Sequence, residues 1–101
     1  MGTNSREVGT FGRAVAAELR AELARKNVSM RRFSVETGLP LSTLQKTLAG
    51  TRVADVEDLY AICAGLGIDP DEIFRRAQAE LDAADPNRRK AHAERKRRML
   101  G

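Results

Sequence analysis

The sequence has almost no cysteine or histidine, the side chains that serve most often in metal sites and as catalytic nucleophile–base pairs. It has one cysteine, Cys63, and one histidine, His92, so it offers no intrachain disulfide, no Cys/His pair and no ligand cluster. It also has no paired carboxylates and no glycine loop that could hold a phosphate. Cys63 lies among apolar residues and is expected to be a buried structural thiol, whereas His92 is expected to bind no metal. The sequence therefore predicts no enzyme, no metal site and no cofactor.

Long apolar segments are missing as well. No stretch is long enough to span a bilayer, and the first residues, MGTNSR, lack the apolar core of a secretion signal. Arg6 occupies the position at which a myristoylation signal needs serine or threonine. Aromatic residues make up 4% and hydrophobic residues 42% of the 101 residues, which fits a helical protein with an aliphatic core. We expect a single domain that lies in the cytoplasm and contacts no membrane.

Charge is divided unevenly along the chain. Lys and Arg outnumber Asp and Glu by 9 to 4 in residues 1–52 and by 7 to 1 in residues 86–101, whereas residues 53–85 have 2 against 9. The net charges of these three segments are therefore +5, +6 and −7, in that order. A polyanion is expected to meet the first half and the C-terminal tail, and to be repelled by the acidic segment between them.

Apolar residues recur at helical spacing in five segments, each bounded by residues that start or end helices. Asp55 and Asp69 are typical N-caps, and Pro70 fits at the first position of the helix that Asp69 begins. Charged residues of the first helix, from Arg13 to Glu22, are expected to form its solvated face. The predicted helices cover about Phe11 to Lys26, the segment between Ser29 and Gly38, Pro40 to Ala49, Val56 to Gly65, and Pro70 to a residue before Pro86.

The segment from Ser29 to Gly50 has the layout of a helix-turn-helix. Gly38 stands where the chain must turn sharply between two short helices, and glycine takes the left-handed conformation without steric cost. Leu44 and Leu48 share one face of the second of these helices, so that face is expected to pack inward. The opposite face is small, polar or cationic, as a surface that enters a DNA major groove requires. Its residues are Ser42, Gln45, Lys46 and Ala49.

From Phe11 to Arg76 the chain resembles the lambda-repressor-like family, the Cro and Xre type of DNA-binding domain. The run LYAICAGLGIDPDEIF resembles the fourth and fifth helices of that family. Met30, Ser34 and Leu41 depart from residues that many relatives carry, so a base code cannot be copied from the family. The family pattern of the helix-turn-helix falls on Ser29, Phe33, Ser34, Gly38 and Leu44, and of these Ser34 replaces the usual alanine.

The resemblance implies an all-α, five-helix lambda-repressor-like helix-turn-helix domain. We assign it to residues 11–85, between a flexible leader, residues 1–10, and a basic C-terminal tail, residues 86–101. The tail is helix-prone, but it lacks a hydrophobic stripe large enough to fold by itself and is expected to be disordered in isolation. Its cations can each neutralise a phosphate, and a solvated arm that only aids solubility is the alternative.

The function that follows from the resemblance is a sequence-specific DNA-binding transcriptional regulator, in particular a repressor of phage or bacterial type. Its partner would be double-stranded DNA, read in the major groove by the third helix, with Lys46 best suited to guanine. The expected base contacts are Leu41, Ser42, Thr43, Gln45 and Lys46. The expected phosphate contacts are Ser29, Arg31, Arg32 and Arg52 in the domain and Arg88, Arg89, Lys90, Arg95, Lys96, Arg97 and Arg98 in the tail.

Several alternatives remain open from the sequence. Arg31 and Arg32 can also be surface arginines without a role in binding. A homodimer through the fifth helix or the tail and a monomer are both compatible with the chain, which is too short for a separate dimerisation domain. An antitoxin or adaptor that binds a partner protein through the fifth helix or the tail is the second functional hypothesis.

Overall fold

The computed structural model describes residues 7–100, except for the side chains of residues 88, 89, 91, 92 and 100. Within this range the chain is all-helical and has no strand, which confirms the predicted fold class. The five predicted helices lie within about two residues of their expected bounds, and a sixth helix follows them. The helices are α1 Thr10–Lys26, α2 Met30–Thr37, α3 Leu41–Ala49, α4 Val56–Leu66, α5 Pro70–Ala84 and α6 Pro86–Leu100. None of these helices is long and apolar enough to cross a bilayer.

Most of the predicted helix boundaries are confirmed by local hydrogen bonds. The Ser29 side chain accepts a bond of 3.1 Å from the backbone N–H of the third residue of α2, and Asp55 accepts one of 2.8 Å in the same way at α4. Gly38 ends α2 with a φ of 78°, in the left-handed region where glycine is favoured. Two details differ from the prediction. Asp69 precedes α5 but makes no side-chain cap bond, and Pro40 is the N-cap of α3 and not its first residue.

One aliphatic core lies where α1 crosses α3, α4 and α5. Its most deeply buried side chains come from all five helices of the predicted domain. Cys63 is among them and is fully buried, as the sequence predicted, and this burial raises the pKa of its thiol. The residues with the largest fully buried side chains are Phe33, Leu19, Leu44, Leu48, Ile62, Ile73 and Cys63.

Glu22 is an exception to the solvated face that was expected on α1, and that part of the prediction was wrong. Its side chain is 11% exposed, and Oε1 accepts hydrogen bonds from Arg25 at 2.7 Å and from Arg76 at 3.0 Å. Arg76 also donates to Glu72 at 2.9 Å. Because α5 crosses α1 at this point, the carboxylate is covered and joins the two helices.

Acid should weaken the contact between α1 and α5. Hydrogen bonds from Arg25, and then from Arg76, hold the pKa of Glu22 below its usual value of 4.5. A carboxylate with a lowered folded-state pKa contributes stability above its unfolded-state pKa, and this contribution is lost as the pH falls through the folded-state pKa. We expect Glu22→Gln to lower the free energy of unfolding by about 1 kcal/mol at neutral pH and to flatten its decline below about pH 4.5.

Urea unfolding between neutral and acidic pH measures this effect. Glu18→Gln is the matched control, because Glu18 lies on the same helix and has no bonded partner among the described residues. Equal pH profiles for the two variants would show that the Glu22 network contributes nothing to stability.

The helices α2 and α4 approach each other most closely at Gly65. A Cβ atom at this position would lie 2.9 Å from Cε1 of Phe33 and 3.0 Å from Cγ2 of Thr37. Phe33 is buried, with 1% of its surface exposed, so its ring has no free space into which to move. Glycine is therefore required here by packing and not by backbone conformation.

We expect Gly65→Ala to lower the free energy of unfolding by up to about 2 kcal/mol. Overpacking a core costs about 1–3 kcal/mol, whereas alanine gains about 1 kcal/mol over glycine in helix propensity, so the clash prevails. Chemical denaturation measures the change, and the cost should shrink in a Phe33→Leu background, where the ring is absent. A Gly65→Ala variant more stable than the parent would contradict this close approach.

The sixth helix, α6, lies in the tail, whose sequence is helix-prone but was not assigned to a helix. Pro86 is its first residue, and the Asp85 side chain accepts a bond of 3.1 Å from the backbone N–H of Asn87. Among the described residues, α5 is the only other helix that contacts α6, and every α6 side chain that the structure describes is exposed. The helix therefore follows from the high helix propensity of Ala, Glu, Lys and Arg and from its N-terminal residues, since burial contributes little.

Candidate nucleic-acid interface

The helix α3 presents the polar face that its sequence predicted. Leu44 and Leu48 are 0% and 1% exposed and fix the inner side of the helix against the core. Ser42, Gln45 and Lys46 are all exposed on the other side. No hydrogen bond or ion pair occupies these three side chains within the described part of the chain. Their polar groups are therefore free to bond to an external molecule.

Two of the expected base contacts are less accessible. Leu41 and Thr43 are half-buried, and each lies in the first turn of α3. Pro40 precedes this turn and supplies no side-chain cap, so no side chain satisfies the first backbone N–H groups of the helix. Such N–H groups, together with the helix dipole, attract anionic groups.

The C-terminal end of α3 is fixed by contacts that sequence reasoning missed. Arg20 of α1 donates a bond of 2.6 Å to the backbone carbonyl of Leu48, and Thr51 donates one of 3.2 Å to that of Lys46. Thr47 is also buried beside Leu44 and Leu48, which its helical spacing from Leu44 could have indicated. The partner of Arg20 lies 28 residues away, so no local signal could have revealed the contact.

Three of the expected phosphate contacts lie together at the start of α2. Ser29, Arg31 and Arg32 are all exposed, and the Ser29 hydroxyl already caps the helix. Arg32 pairs with Glu36 one turn later, at 3.2 Å, whereas Arg31 has no bonded partner among the described residues. The Arg32 side chain is 75% exposed, and exposed pairs of this kind contribute only about 0–1 kcal/mol. Both guanidinium groups are therefore accessible to a phosphate.

Arg52 is more restrained than the sequence suggested. Its Nη1 atom donates to Asp58 at 2.7 Å and to Thr47 at 3.3 Å, so the side chain ties the loop after α3 to α4 and back to α3. The side chain is 38% exposed. A phosphate contact would have to use the N–H groups that these two bonds leave free.

The cations of α6 point in several directions. Lys90, Arg95, Lys96, Arg97 and Arg98 are all exposed, and the side chains of Arg88 and Arg89 lie outside the described residues. With a turn of about 100° for each residue, Lys90, Arg97 and Arg98 share one face of the helix. Arg95 and Lys96 lie outside that face. A straight duplex could thus meet only part of this set at one time.

Comparisons with known proteins agree with this geometry. A family model described as "Cro/C1-type HTH DNA-binding domain" matches residues 18–78. No curated protein matches the chain. Two solved structures of the clp gene regulator ClgR from Corynebacterium glutamicum have a similar fold. The first has a TM-score of 0.64 and 23% sequence identity, and the match covers 69% of this chain and 91% of the ClgR chain. The second has a TM-score of 0.69 and 20% sequence identity, and the match covers 87% of this chain and 93% of the ClgR chain.

Proposed function

Because the chain belongs to the Cro/C1-type HTH DNA-binding domains, we propose that it is a sequence-specific transcriptional regulator whose α3 reads the major groove. The observation that carries the proposal is the division of α3 into a buried and a free face. Leu44 and Leu48 anchor the helix, while Ser42, Gln45 and Lys46 are exposed and have no partner in the described chain. A helix of this kind can enter the major groove without rearranging the core.

The chemistry of the free face fits base edges. The Gln45 amide can accept from and donate to adenine, and the Lys46 ammonium can donate to the O6 and N7 acceptors of guanine. Ser42 and Thr43 can bond to several bases, and Leu41 offers an apolar contact for a thymine methyl group. In this proposal, Gln45 and Lys46 contribute most of the discrimination between bases.

Backbone contacts would set the position of α3 in the groove. We assign this role to Ser29, Arg31 and Arg32 at the start of α2 and to Arg52 after α3. The exposed pair between Arg32 and Glu36 is weak enough to open when a phosphate approaches. Contacts of this type fix orientation and register but carry no sequence information.

The uneven charge supports one orientation on the duplex. Residues 1–52 carry +5 and include both helices of the helix-turn-helix, whereas residues 53–85, with α4 and α5, carry −7. A duplex would therefore be attracted to the side of α2 and α3 and repelled from the acidic helices. The cations of α6 would add affinity that does not depend on sequence.

The mode of regulation that we propose is repression in the cytoplasm, as in small phage or bacterial repressors, through occupation of promoter DNA. A homodimer through α5 or α6 would read a palindrome, whereas a monomer would read a single half-site. A reporter gene placed behind the bound sequence separates repression from activation. Mass measured in solution with and without that DNA gives the number of subunits.

Selection of bound sequences from a random duplex pool tests the function directly. We expect a defined motif to emerge, and its symmetry should report the number of subunits. A variant with Ser42, Gln45 and Lys46 all changed to alanine should recover no motif while keeping its fold, since these side chains contact nothing in the core. Failure of the parent chain to prefer any duplex over another would overturn the proposal.

A further inference from the structure

A cleft of about 260 Å³ lies between the start of α1, the loop after α3, and the sides of α4 and α5. Its walls include Leu59 and the rings of Phe11 and Phe74, whose centroids are 5.7 Å apart. Phe11 and Leu59 are partly buried and Phe74 is 37% exposed, so these apolar groups remain in contact with solvent. Small-molecule sites are typically concave and mostly apolar, with few polar groups, as this cleft is.

The cleft has few polar side chains, and they differ in exposure and in how firmly they are held. Glu7, Thr47 and Arg52 line it, and the other lining residues within the described part of the chain are apolar or glycine. Glu7 is exposed in the segment before α1, whereas Arg52 is half-buried and held in place by Asp58 and Thr47. Both of these bonds use Nη1 of Arg52, and a guanidinium has five N–H donors. Arg52 thus retains donors for a ligand.

The charges around the cleft select a neutral ligand. Asp58 pairs with Arg52 at 2.7 Å, and Arg13 donates to the backbone carbonyl of Val8, which lines the cleft. With Glu7, the charges of the described residues at the cleft sum to zero, so neither an anion nor a cation would meet an opposite net charge. A carbonyl oxygen can accept from the guanidinium without bringing another charge into apolar surroundings. We propose that the cleft binds a small, neutral, mainly apolar molecule that carries a carbonyl group, with the carbonyl oxygen bonded to Arg52.

Binding in the cleft would also weaken binding of DNA, and this part rests on the proposed function. Arg52 is a proposed phosphate contact, and it is bonded to Thr47 of α3. A ligand that accepts from the guanidinium holds it in the cleft and away from the phosphate. Coupling between two sites commonly changes affinity by about 5-fold to 150-fold. Since a single phosphate contact is involved, we expect the low end of that range.

Titration of the whole chain with benzylacetone, a neutral phenyl ketone, followed by amide NMR, tests the site. Hydrocinnamate has nearly the same shape but is an anion, so it serves as the comparison. We expect saturable shifts at Val53 and Ala54 with a dissociation constant of about 1 mM or less, which a ligand of about a dozen non-hydrogen atoms can reach. The anion should bind at least about fivefold more weakly. Equal binding of the two would overturn the neutral-ligand assignment, and absence of saturable shifts would overturn the site.

Matched variants locate the ligand. Ala54→Leu fills the cleft and should abolish the shifts, whereas Ala64→Leu makes the same change at an exposed position of α4 outside the cleft and should preserve them. Arg52→Met removes the donor and should weaken the binding of benzylacetone. Thermal unfolding confirms that each variant folds. Shifts that survive Ala54→Leu would place the ligand elsewhere and overturn the proposal.

The effect of the ligand on DNA affinity is measured in a separate experiment, with a duplex that carries the motif recovered by selection. A fall of about fivefold in DNA affinity at saturating benzylacetone supports the coupling. Saturable NMR shifts without any preference for a duplex would support the ligand site and overturn the DNA-binding proposal. Sequence-specific DNA binding without NMR shifts would support the DNA-binding proposal and overturn the ligand site. Shifts accompanied by unchanged DNA affinity would overturn the coupling alone.

Discussion

Removal of residues 86–101 should make binding to DNA both weaker and much less sensitive to salt. Each phosphate that a protein neutralises contributes about −0.9 to the slope of log affinity against log salt concentration. One face of α6 holds Lys90, Arg97 and Arg98, so we expect the slope to become shallower by about 3. Affinity near 50 mM salt should fall by at least about tenfold. Filter binding or fluorescence anisotropy over a salt series measures both quantities.

Two double variants with equal loss of charge sharpen this test. Lys90→Gln with Arg97→Gln removes cations from one face of α6, whereas Arg95→Gln with Lys96→Gln removes the same number from elsewhere on the helix. If α6 lies on the duplex as a helix, the two variants should differ in slope. Equal losses would show that the tail acts as a flexible polycation, and an unchanged slope after deletion would show that it never touches DNA.

Replacement of Lys46 by alanine should cost about 1–3 kcal/mol on the selected motif and much less on random duplex, because a base contact is lost only where the base is present. The side chain is exposed and unpaired in the described chain, so the thermal stability of Lys46→Ala should equal that of the parent. Arg75→Ala is the matched control, since it removes the same charge from the acidic side of the domain. Competition binding against both duplexes gives the two affinities.

The comparison of duplexes decides which contact Lys46 makes. An equal loss of affinity on the motif and on random DNA would show that Lys46 contacts a phosphate. Gln45 and Ser42 would then be the residues that discriminate between bases. A larger loss from Arg75→Ala than from Lys46→Ala would contradict the orientation proposed for the whole domain.

Much of the fold was predictable because its signals are local. The Ser29 side chain caps α2 by accepting a bond from the N–H of Arg32, three residues later, and Gly38 ends the same helix in the left-handed conformation. Both boundaries therefore depend only on neighbouring residues. The free face of α3 was predictable for a similar reason, since helical periodicity puts Leu44 and Leu48 on one side and the polar residues on the other. Exposure of those residues in the folded chain confirms that division.

The parts that could not be predicted depend on contacts between distant segments. Glu22 is covered only because Arg76, 54 residues later, reaches it from α5. Arg52 has the sequence features of a backbone contact, and its bond to Asp58 follows from how the loop after α3 meets α4. The helix propensity of the tail was visible in the sequence, but whether the tail forms a helix could not be decided there, because the absence of a hydrophobic stripe excludes packing but does not exclude a helix formed by propensity alone.

The way in which α3 is held has a consequence for how such a protein can acquire new target sites. Its inner leucines, together with the bonds that Arg20 and Thr51 make to its last carbonyls, involve none of the side chains on its outer face. Substitutions at exposed positions that touch nothing else typically change stability by no more than about 0.5 kcal/mol. Retargeting is therefore thermodynamically inexpensive: the outer face of α3 can be rewritten, by evolution or by design, while the scaffold beneath it remains the same.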